Sequence, residues 1–441
     1  MDLVSLLGPR TKGVHPPGNK VSAGRAIERA PLPSTVHLPV SQHLGAPAKP
    51  VVKRGEEVLT GQLIAGPGGY VSAPVHATVS GKVSKITQTI HFATGRPVDV
   101  IVIESDGEDR WVDLEPANPA SLSREEILKR IWDAGLVGLG GATFPTHVKL
   151  KPPEDKPIDT LIINGAECEP WITSDNRLMI EHGREIVSGI EVMLRLVPAE
   201  RVIVAIERNK PEAIERMWRH VSRSKARDRM TVRGVPTRYP MGGEKTLTQV
   251  LLGREVPIGG LPLDVGVIVQ NVGTVKAIHD AVVEGRPLVE RVVTVTGMVR
   301  EPANLLVRFG TPAREIIDLC GGPAGDPDEV IFGGPMMGVS QASVDAPVIK
   351  GTNCVLLQRQ ERRPERDCIR CASCIHACPM DLMPTMYVAF AKAKMWEACG
   401  DYHIDDCIEC GSCAYSCPAS IPIVQYIKLA KGELRKVRAR K

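Results

Sequence analysis

The feature that most constrains this 441-residue chain is a cysteine pattern that occurs twice near its C-terminal end. Each copy reads Cys-x-x-Cys-x-x-Cys-x-x-x-Cys-Pro. Three thiolates spaced two residues apart can wrap one face of a [4Fe-4S] cubane, and the fourth ligates the other cluster in proteins that carry two. The pattern therefore predicts two [4Fe-4S] clusters, with eight ligands: Cys368, Cys371, Cys374, Cys378, Cys407, Cys410, Cys413 and Cys417.

The same spacing argues against a structural zinc site. Zinc sites typically use two separated Cys-x-x-Cys pairs and have no third closely spaced thiol. If the two motifs exchange their last ligands, Cys417 completes the cluster of the first motif and Cys378 that of the second. Four further cysteines lack ligand spacing and are expected to be small buried hydrophobic residues: Cys168, Cys320, Cys354 and Cys399.

Composition restricts the remaining possibilities. A chain of this length predicts two to four domains, and 43% hydrophobic with 24% charged residues is typical of a soluble globular protein. The net charge of +4 and the lack of a basic stripe with interleaved aromatic residues argue against nucleic-acid binding. No apolar run approaches the roughly 18 to 20 residues that span a bilayer. The N-terminal MDLVSLLGPRTKG lacks a signal-peptide cleavage site, which favours a cytoplasmic location.

The pattern of apolar residues predicts a multidomain α/β and α+β protein with four regions. Residues 1–118 contain short β-segments such as VHLPV and APVHATVSGKVSKI, residues 119–287 alternate β-type runs with helical stretches, and residues 288–357 form a small α+β unit. Residues 358–441 are the cysteine-rich module with a basic tail. The first region resembles the barrel-sandwich hybrid of lipoyl and biotinyl domains, with SAPVHAT at the turn where those domains carry a modified lysine.

A glycine-rich loop follows the first predicted helix of the second region, which Ser123 and Glu126 are predicted to cap. Its sequence is GLGGATFPTHVK, with glycines at 138, 140 and 141. It fails the dinucleotide fingerprint, because Thr143 stands at the third glycine position and no strand precedes the loop. Two interpretations remain: a generic turn, or a backbone cradle for a phosphate or a ring with Lys149 as countercharge.

Three polar loops end β-type runs in the same region. They read NGAECEP, YPMGGE and NVGT, and they contain Asn164, Glu167, Glu169, Tyr239, Gly242, Glu244, Asn271 and Thr274. Ligands in open α/β sheets bind at the carboxyl ends of the strands. We therefore expect these loops and the glycine loop to converge on one rim, although a solvated turn is an alternative for the first of them.

Together, GLGGATFPTHVKL, LIINGAECEP, FGGPMMG and the paired cysteine motifs make the chain resemble the C subunit of the Rnf electron-transport complex. That family is related to the flavin-bearing NADH-binding subunit of respiratory complex I. The resemblance implies noncovalent FMN, NAD(H) as substrate, a Rossmann-like flavin domain, and a ubiquitin-like (SLBB-type) domain at 288–357. It also implies membrane and iron-sulfur partner subunits, ferredoxin as an indirect partner, and a peripheral position on the cytoplasmic face of the inner membrane.

The resemblance also implies residue roles. Residues matching those that surround FMN are Gly138, Gly140, Gly141, Lys149, Asn164, Tyr239, Gly242, Asn271 and Thr274. Residues matching the NADH side are Phe144, Glu167, Glu169 and Glu244, with Glu167 as the group expected to orient the nicotinamide or a water. Two positions depart from the complex I pattern: Leu139 replaces an arginine, and Gly243 replaces the first of two glutamates.

Two alternative functions remain open at this point. One is a soluble flavin and iron-sulfur cobalamin reductase of diol-degrading microcompartments, and the other is a non-enzymatic electron-transfer scaffold whose flavin site has decayed. The basic tail either assists membrane attachment or is a solvated helix end. Its residues are Lys428, Lys431, Arg435, Lys436, Arg438, Arg440 and Lys441.

Overall fold

The structure is a computed structural model that describes residues 12–90, 97–360 and 363–440. The signal-peptide prediction rests on residues 1–11, so it lies outside the described residues, as does Lys441. Within the described residues the strands form four sheets. The predicted mixture of β, α/β and α+β regions followed by a cysteine-rich module is confirmed, and that module is helical.

The N-terminal region is built from two small antiparallel sheets that pack on each other. Their buried residues are mostly valine, isoleucine and alanine, including Val36 and Leu38 on one strand and Ile101 and Ile103 on another. The strands are β1 (Ile27–Arg29), β2 (Thr35–Pro39), β3 (Lys49–Pro50), β4 (Glu57–Val58), β5 (Leu63–Gly66), β6 (Val75–His76), β7 (Gly81–Ile90) and β8 (Pro97–Ser105). The sheet orders are β2-β8-β7-β4 and β3-β5-β6.

Strand β1 does not belong to either of these sheets. It pairs in parallel with a strand of the third region, Ile27 facing Asn304 and Arg29 facing Leu306. The segment before it runs along the α/β region, where Val14 and Tyr239 exchange backbone hydrogen bonds of 2.8 and 3.0 Å. Residues 1–118 were predicted as one β module, but this N-terminal segment packs against the two regions that follow.

The second region has a four-stranded parallel sheet in the order β11-β10-β9-β12. Its strands are β9 (Thr160–Gly165), β10 (Arg201–Glu207), β11 (Met230–Val235) and β12 (Val267–Asn271). Its helices are α1 (Arg124–Asp133), α2 (Thr146–Lys149), α3 (Ser174–Glu181), α4 (Gly183–Leu196), α5 (Pro211–Ser222), α6 (Glu244–Leu252) and α7 (Val272–Val282). The predicted capping box at Ser123 and Glu126 is confirmed. Successive strands are added on one side of β9 up to β11, and β12 is then added on its other side. The order of the strands therefore reverses between β9 and β12, and a crevice opens at the carboxyl ends of these two strands.

The third region is a mixed sheet with one helix, in the order β1-β14-β13-β17-β15-β16. Its elements are β13 (Glu290–Gly297), β14 (Ala303–Arg308), α8 (Ala313–Leu319), β15 (Glu329–Phe332), β16 (Val339–Ser340) and β17 (Cys354–Gln358). The C-terminal module is helical, with its own core around Tyr387 and Ile427. Its helices are α9 (Ser373–His376), α10 (Pro384–Lys392), α11 (Trp396–Asp401), α12 (Ser412–Tyr415) and α13 (Ile423–Ala439).

Candidate flavin cleft and cluster sites

A cleft of about 440 Å³ opens at the crevice between β9 and β12. This volume lies in the range of sites that bind small molecules and cofactors. The predicted site residues that line it are Gly138, Gly140, Phe144, Lys149, Asn164, Glu167, Glu169, Tyr239, Gly242, Glu244 and Asn271. The structure therefore brings the glycine loop and the three polar loops together, as the strand-end argument predicts.

The backbone of the glycine loop is held in place by hydrogen bonds with two side chains, those of Thr274 and Arg291. The amide of Leu139 donates to Oγ1 of Thr274 at 2.8 Å, and its carbonyl accepts from Nη2 of Arg291 at 2.9 Å. Thr274 is buried and does not line the cleft, so its contact is with the loop itself. Gly141 also does not line the cleft, and its φ of 111° is a conformation that favours glycine. Thr274 therefore supports the loop from behind, whereas Gly141 is exposed and permits the turn of the loop.

The opposite wall requires close backbone packing. Asn164 donates from Nδ2 to the carbonyl of Gly242 at 2.8 Å, and a Cβ on Gly242 would lie 2.5 Å from the carbonyl oxygen of Ala166. Only glycine fits at that position. Lys149 forms an ion pair with Glu244 across the cleft, which joins a residue expected near FMN to one expected near NADH.

Glu167 caps a helix as well as lining the cleft. Its Oε1 accepts from the amide of Asp175 at 2.7 Å, at the first turn of α3, where a carboxylate is favoured by the helix dipole. Asp175 in turn accepts from Nδ2 of Asn271 at 2.7 Å. Burial, and next the Glu167 carboxylate, raise the pKa of Asp175 above its ordinary value. These contacts fix the orientation of Glu167 within the cleft.

Glu169 is engaged by the third region. Its carboxylate accepts hydrogen bonds from the amides of Met336 at 3.1 Å and Met337 at 2.8 Å, both in the FGGPMMG segment. A Cβ on Gly334 would overlap its Oε2, which explains a glycine there. Burial raises the pKa of Glu169 to about 7. Its expected place beside the nicotinamide is thus shared with a role in holding this loop.

Sequence reasoning missed several residues of the cleft. Lys20 is half-buried and donates to the carbonyls of Glu167, Glu169 and Ile172 at 2.8, 2.7 and 2.6 Å. Gln270 lines the cleft, and its side-chain nitrogen has no hydrogen-bond partner among the described residues. A buried donor of this kind favours a polar ligand. Gln270 lies beside Asn271 at the carboxyl end of β12, and this position could have indicated it from the sequence. Lys20 could not be predicted, because it is too distant in sequence from the loop that it contacts.

A second cavity lies in the C-terminal module. Four cysteines line it: Cys378, Cys407, Cys410 and Cys413. This set combines the last cysteine of the first motif with the first three of the second, so the donors fit a [4Fe-4S] cluster held by ligand exchange between the motifs. Cys374 and Cys417, two members of the complementary set, both pack against the core of the module. The ligand assignment itself stays a prediction.

The other cysteines behave differently from one another. Cys320, Cys354 and Cys399 are buried, as expected for small hydrophobic residues. Cys168 is only half-buried and lines the cleft, where its Sγ accepts from the amide of Gly242 at 3.4 Å.

The cleft and the cysteine cavity adjoin each other. Ile408 lines both, and the hydroxyl of Tyr239 donates to the carbonyl of Cys410 at 2.6 Å. Lys245, from the cleft wall, forms an ion pair of 3.1 Å with Asp406, directly before the second motif. A cofactor-sized cleft beside a four-thiolate cavity defines a class of proteins that pass electrons between an organic cofactor and iron-sulfur clusters.

Family models match all four regions of the chain. They are an RnfC barrel sandwich hybrid domain at residues 10–108, a Nuo51 FMN-binding domain at 131–280, an SLBB domain at 292–340 and a 4Fe-4S dicluster domain at 367–421. The second and fourth of these contain the cleft and the cysteine motifs.

Curated relatives identify the family. The C subunit of the proton-translocating ferredoxin:NAD(+) oxidoreductase complex of Clostridium ljungdahlii is 48% identical over 89% of this chain and 86% of its own length. The C subunit of the Na(+)-translocating ferredoxin:NAD(+) oxidoreductase complex of Acetobacterium woodii is 42% identical over 88% of each chain. The chain belongs to the RnfC family, the C subunits of ion-translocating oxidoreductase complexes of the Rnf type.

A solved structure shares the fold. The crystal structure of an NAD+-reducing [NiFe]-hydrogenase in the air-oxidized state aligns with a TM-score of 0.51 at 19% identity, covering 73% of this chain and 67% of the other. In the part of the chain that the structure describes, every helix is too short or too polar to cross a bilayer.

Proposed function

We propose that this chain is the flavin and iron-sulfur subunit of a membrane-bound, ion-translocating NAD:ferredoxin oxidoreductase. It catalyses reversible hydride transfer between NADH and FMN, and electrons then pass singly through two [4Fe-4S] clusters to partner subunits. FMN supplies the conversion between two-electron and one-electron transfer. The observation that carries this proposal is the direct adjacency of the cleft and the four-cysteine cavity, which share Ile408.

The protein's own residues supply position and electrostatics. Gly138, Gly140 and Gly242 let a ligand approach the backbone, and Lys149 supplies the countercharge for an anionic cofactor. Glu167 is held by the start of α3 and is assigned to orient the nicotinamide or a water. Phe144 and Glu244, which also line the cleft, are assigned to the NADH side.

The remaining assigned residues act at the walls of the cleft. Asn164 and Asn271 hold neighbouring loops in register through their contacts with Gly242 and Asp175. Thr274 supports the glycine loop from behind, and Gly141 permits its turn through a φ of 111°.

The electrons leave through the cluster module. The cavity that would hold the second-motif cluster adjoins the cleft, whereas Cys368 and Cys371 of the first motif are exposed. The first-motif cluster is therefore assigned to deliver electrons to iron-sulfur and membrane partner subunits, and ferredoxin is an indirect partner. We place the protein peripherally on the cytoplasmic face of the cell membrane.

The basic tail contributes less to membrane attachment than its composition suggests. Lys431 is buried and donates to the carbonyl of Cys407 at 2.6 Å and to Glu409 at 2.9 Å. Arg438 pairs with Asp405 at 2.8 Å. The tail thus holds the second motif, and protein partners carry the attachment.

The test is anoxic purification of the chain, with iron, sulfide and flavin counted per chain and the flavin spectrum followed on addition of NADH. We expect about one FMN, eight iron atoms and bleaching of the flavin absorbance by NADH, because two [4Fe-4S] clusters hold eight irons. Lys149→Glu should lose the flavin and keep the iron, because it places a carboxylate beside Glu244 in an anion-binding cleft.

Lys151→Glu is the matched control, since Lys151 is exposed two residues further on and does not line the cleft. If the intact protein carries both clusters but neither binds FMN nor responds to NADH, the enzyme assignment is wrong and the electron-transfer scaffold is favoured. Equal loss of flavin in both lysine variants would remove Lys149 from the site.

A further inference from the structure

Tyr239 occupies the wall between the flavin cleft and the cluster module. It is 2% exposed. Its backbone carbonyl accepts from the amide of Val14 at 2.8 Å, and its amide donates to the carbonyl of Val14 at 3.0 Å. The N-terminal segment therefore fixes the position of this ring. Such a fixed backbone restricts where the hydroxyl can point.

The hydroxyl of Tyr239 points at a predicted cluster ligand. It donates to the carbonyl of Cys410 at 2.6 Å, and Cys410 is itself buried against Val14, Tyr239 and Ala377. This hydrogen bond joins two residues far apart in sequence and belongs to neither domain alone.

We propose that Tyr239 is a positioning residue for electron transfer, which fixes the second-motif cluster against the flavin and sets its reduction potential through Cys410. Hydrogen bonds and burial around cluster ligands are among the factors that set the potential. The Tyr239 hydroxyl directs its proton at the Cys410 carbonyl, which places the positive end of the O–H dipole at the backbone of a cluster ligand. That positive end favours the reduced, more negative cluster. Its removal lowers the potential of that cluster.

The proposal rests on the proposed function, in which NADH transfers two electrons with one proton as hydride. Two one-electron steps pass these electrons to the two clusters, and the one proton passes to solvent. Tyr239 itself transfers no proton in this scheme, and its hydroxyl bonds the Cys410 carbonyl. Its effect is on geometry and on one reduction potential.

The test is Tyr239→Phe, with Tyr387→Phe as the matched control. Tyr387 is also fully buried and lines the same cysteine cavity, and its hydroxyl also donates to a carbonyl at 2.6 Å, that of Tyr402. That contact lies within the cluster module and does not reach the cleft. The pair therefore compares the loss of one buried hydroxyl across the domain boundary with the loss of one inside the module.

Two measurements separate positioning from a merely structural role. The first is the potential of each cluster, titrated with chemical reductant and followed by electron paramagnetic resonance on protein from which the flavin has been removed. The second is the rate of cluster reduction after NADH is added, expressed per bound flavin. In Tyr239→Phe we expect the second-motif cluster to shift to a lower potential and its reduction to slow about three- to tenfold, the effect of losing one hydrogen bond.

The potential measurement does not depend on flavin or NADH, so it tests the proposal even if the proposed function fails. An unchanged or higher potential of the second-motif cluster in Tyr239→Phe overturns the proposal. So does an equal shift and an equal slowing in Tyr387→Phe, because the effect would then report general loosening of the module. A lower potential confined to the second-motif cluster of Tyr239→Phe supports it.

Discussion

The two cysteine motifs have the same sequence pattern and the same local backbone, but their surroundings differ. Left-handed residues occur at matching positions, Ala372 in the first motif and Gly411 in the second. Each is followed by a single helical turn, α9 or α12. Yet Cys368 and Cys371 are exposed, whereas Cys410 and Cys413 are buried.

The difference arises from docking. The second motif faces the flavin region, with Tyr239 bonded to Cys410 and Lys245 paired with Asp406. The third region also reaches it, because the carbonyl of Met336 lies 3.0 Å from where a Cβ on Gly411 would stand. Local sequence therefore forms the ligand loops, and neighbouring domains decide which cluster is shielded from water. Shielding affects the reduction potential, so two equal motifs can serve different steps.

The largest expected effect comes from replacing the last cysteine of each motif with serine. Cys378→Ser should destroy the cluster bound by the second motif and leave the first-motif cluster closer to normal, because Cys378 lines the cavity of Cys407, Cys410 and Cys413. Cys417→Ser should do the reverse. Cluster-resolved electron paramagnetic resonance of the two variants distinguishes them, and loss of the cluster belonging to the mutated cysteine's own motif would contradict ligand exchange.

The next effect concerns Glu169, whose carboxylate accepts two hydrogen bonds from the Met336 and Met337 loop beside the second motif. Its pKa is raised from 4.5 to about 7, so between these values the folded protein binds more protons than the unfolded chain. Stability is then highest at low pH within this window and falls as pH rises, by on the order of 3 kcal/mol for this group. Glu169→Gln should reduce that slope in the thermal unfolding midpoint measured from pH 4.5 to 8.

The exposed Glu200 provides the control for this pH dependence. Glu200→Gln should retain the slope of the unmodified protein. A slope that is unchanged in Glu169→Gln would mean that the buried carboxyl does not carry the pH dependence.

A smaller effect tests the ion pair at the second motif against its counterpart at the first. Asp406 accepts from Nζ of Lys245 at 3.1 Å and from the amide of Gly259 at 2.8 Å, whereas Asp367 at the corresponding position is exposed. Asp406→Asn should cost about 1–2 kcal/mol of stability, and Asp367→Asn should cost much less. Urea unfolding of both variants measures the difference, and equal costs would show that docking does not distinguish the motifs.

The smallest effect uses the matched left-handed positions. Gly411→Ala should destabilise the protein by about 1 kcal/mol, because φ is 82° and the new methyl group would meet the Met336 carbonyl. Ala372→Gly should be close to neutral, since the relief of left-handed strain opposes the gain in unfolded-chain entropy. The same unfolding measurement applies, and comparable destabilisation by both substitutions would contradict the asymmetry.

Much of the site could be predicted because its signals are local or follow from strand order. The cysteine spacing identifies the cluster ligands, since three thiolates on one loop are near each other in any fold that the loop allows. The Ser123 capping box is likewise confined to four residues. The proximity of Asn164 and Asn271 could be predicted from the sequence, because the ends of neighbouring parallel strands lie at one edge of a sheet.

Other contacts could not be predicted, because they join residues whose proximity depends on how complete domains pack. Lys20 reaches the carbonyls of the NGAECEP loop from the N-terminal segment, and Glu169 accepts from the loop at Met336 and Met337. The sequence by itself determined that the chain carries two similar cysteine motifs and a glycine-rich loop. Only the tertiary structure decided that Cys410 is buried at Tyr239 while its counterpart Cys371 is exposed, since burial is set by contacts between distant parts of the chain.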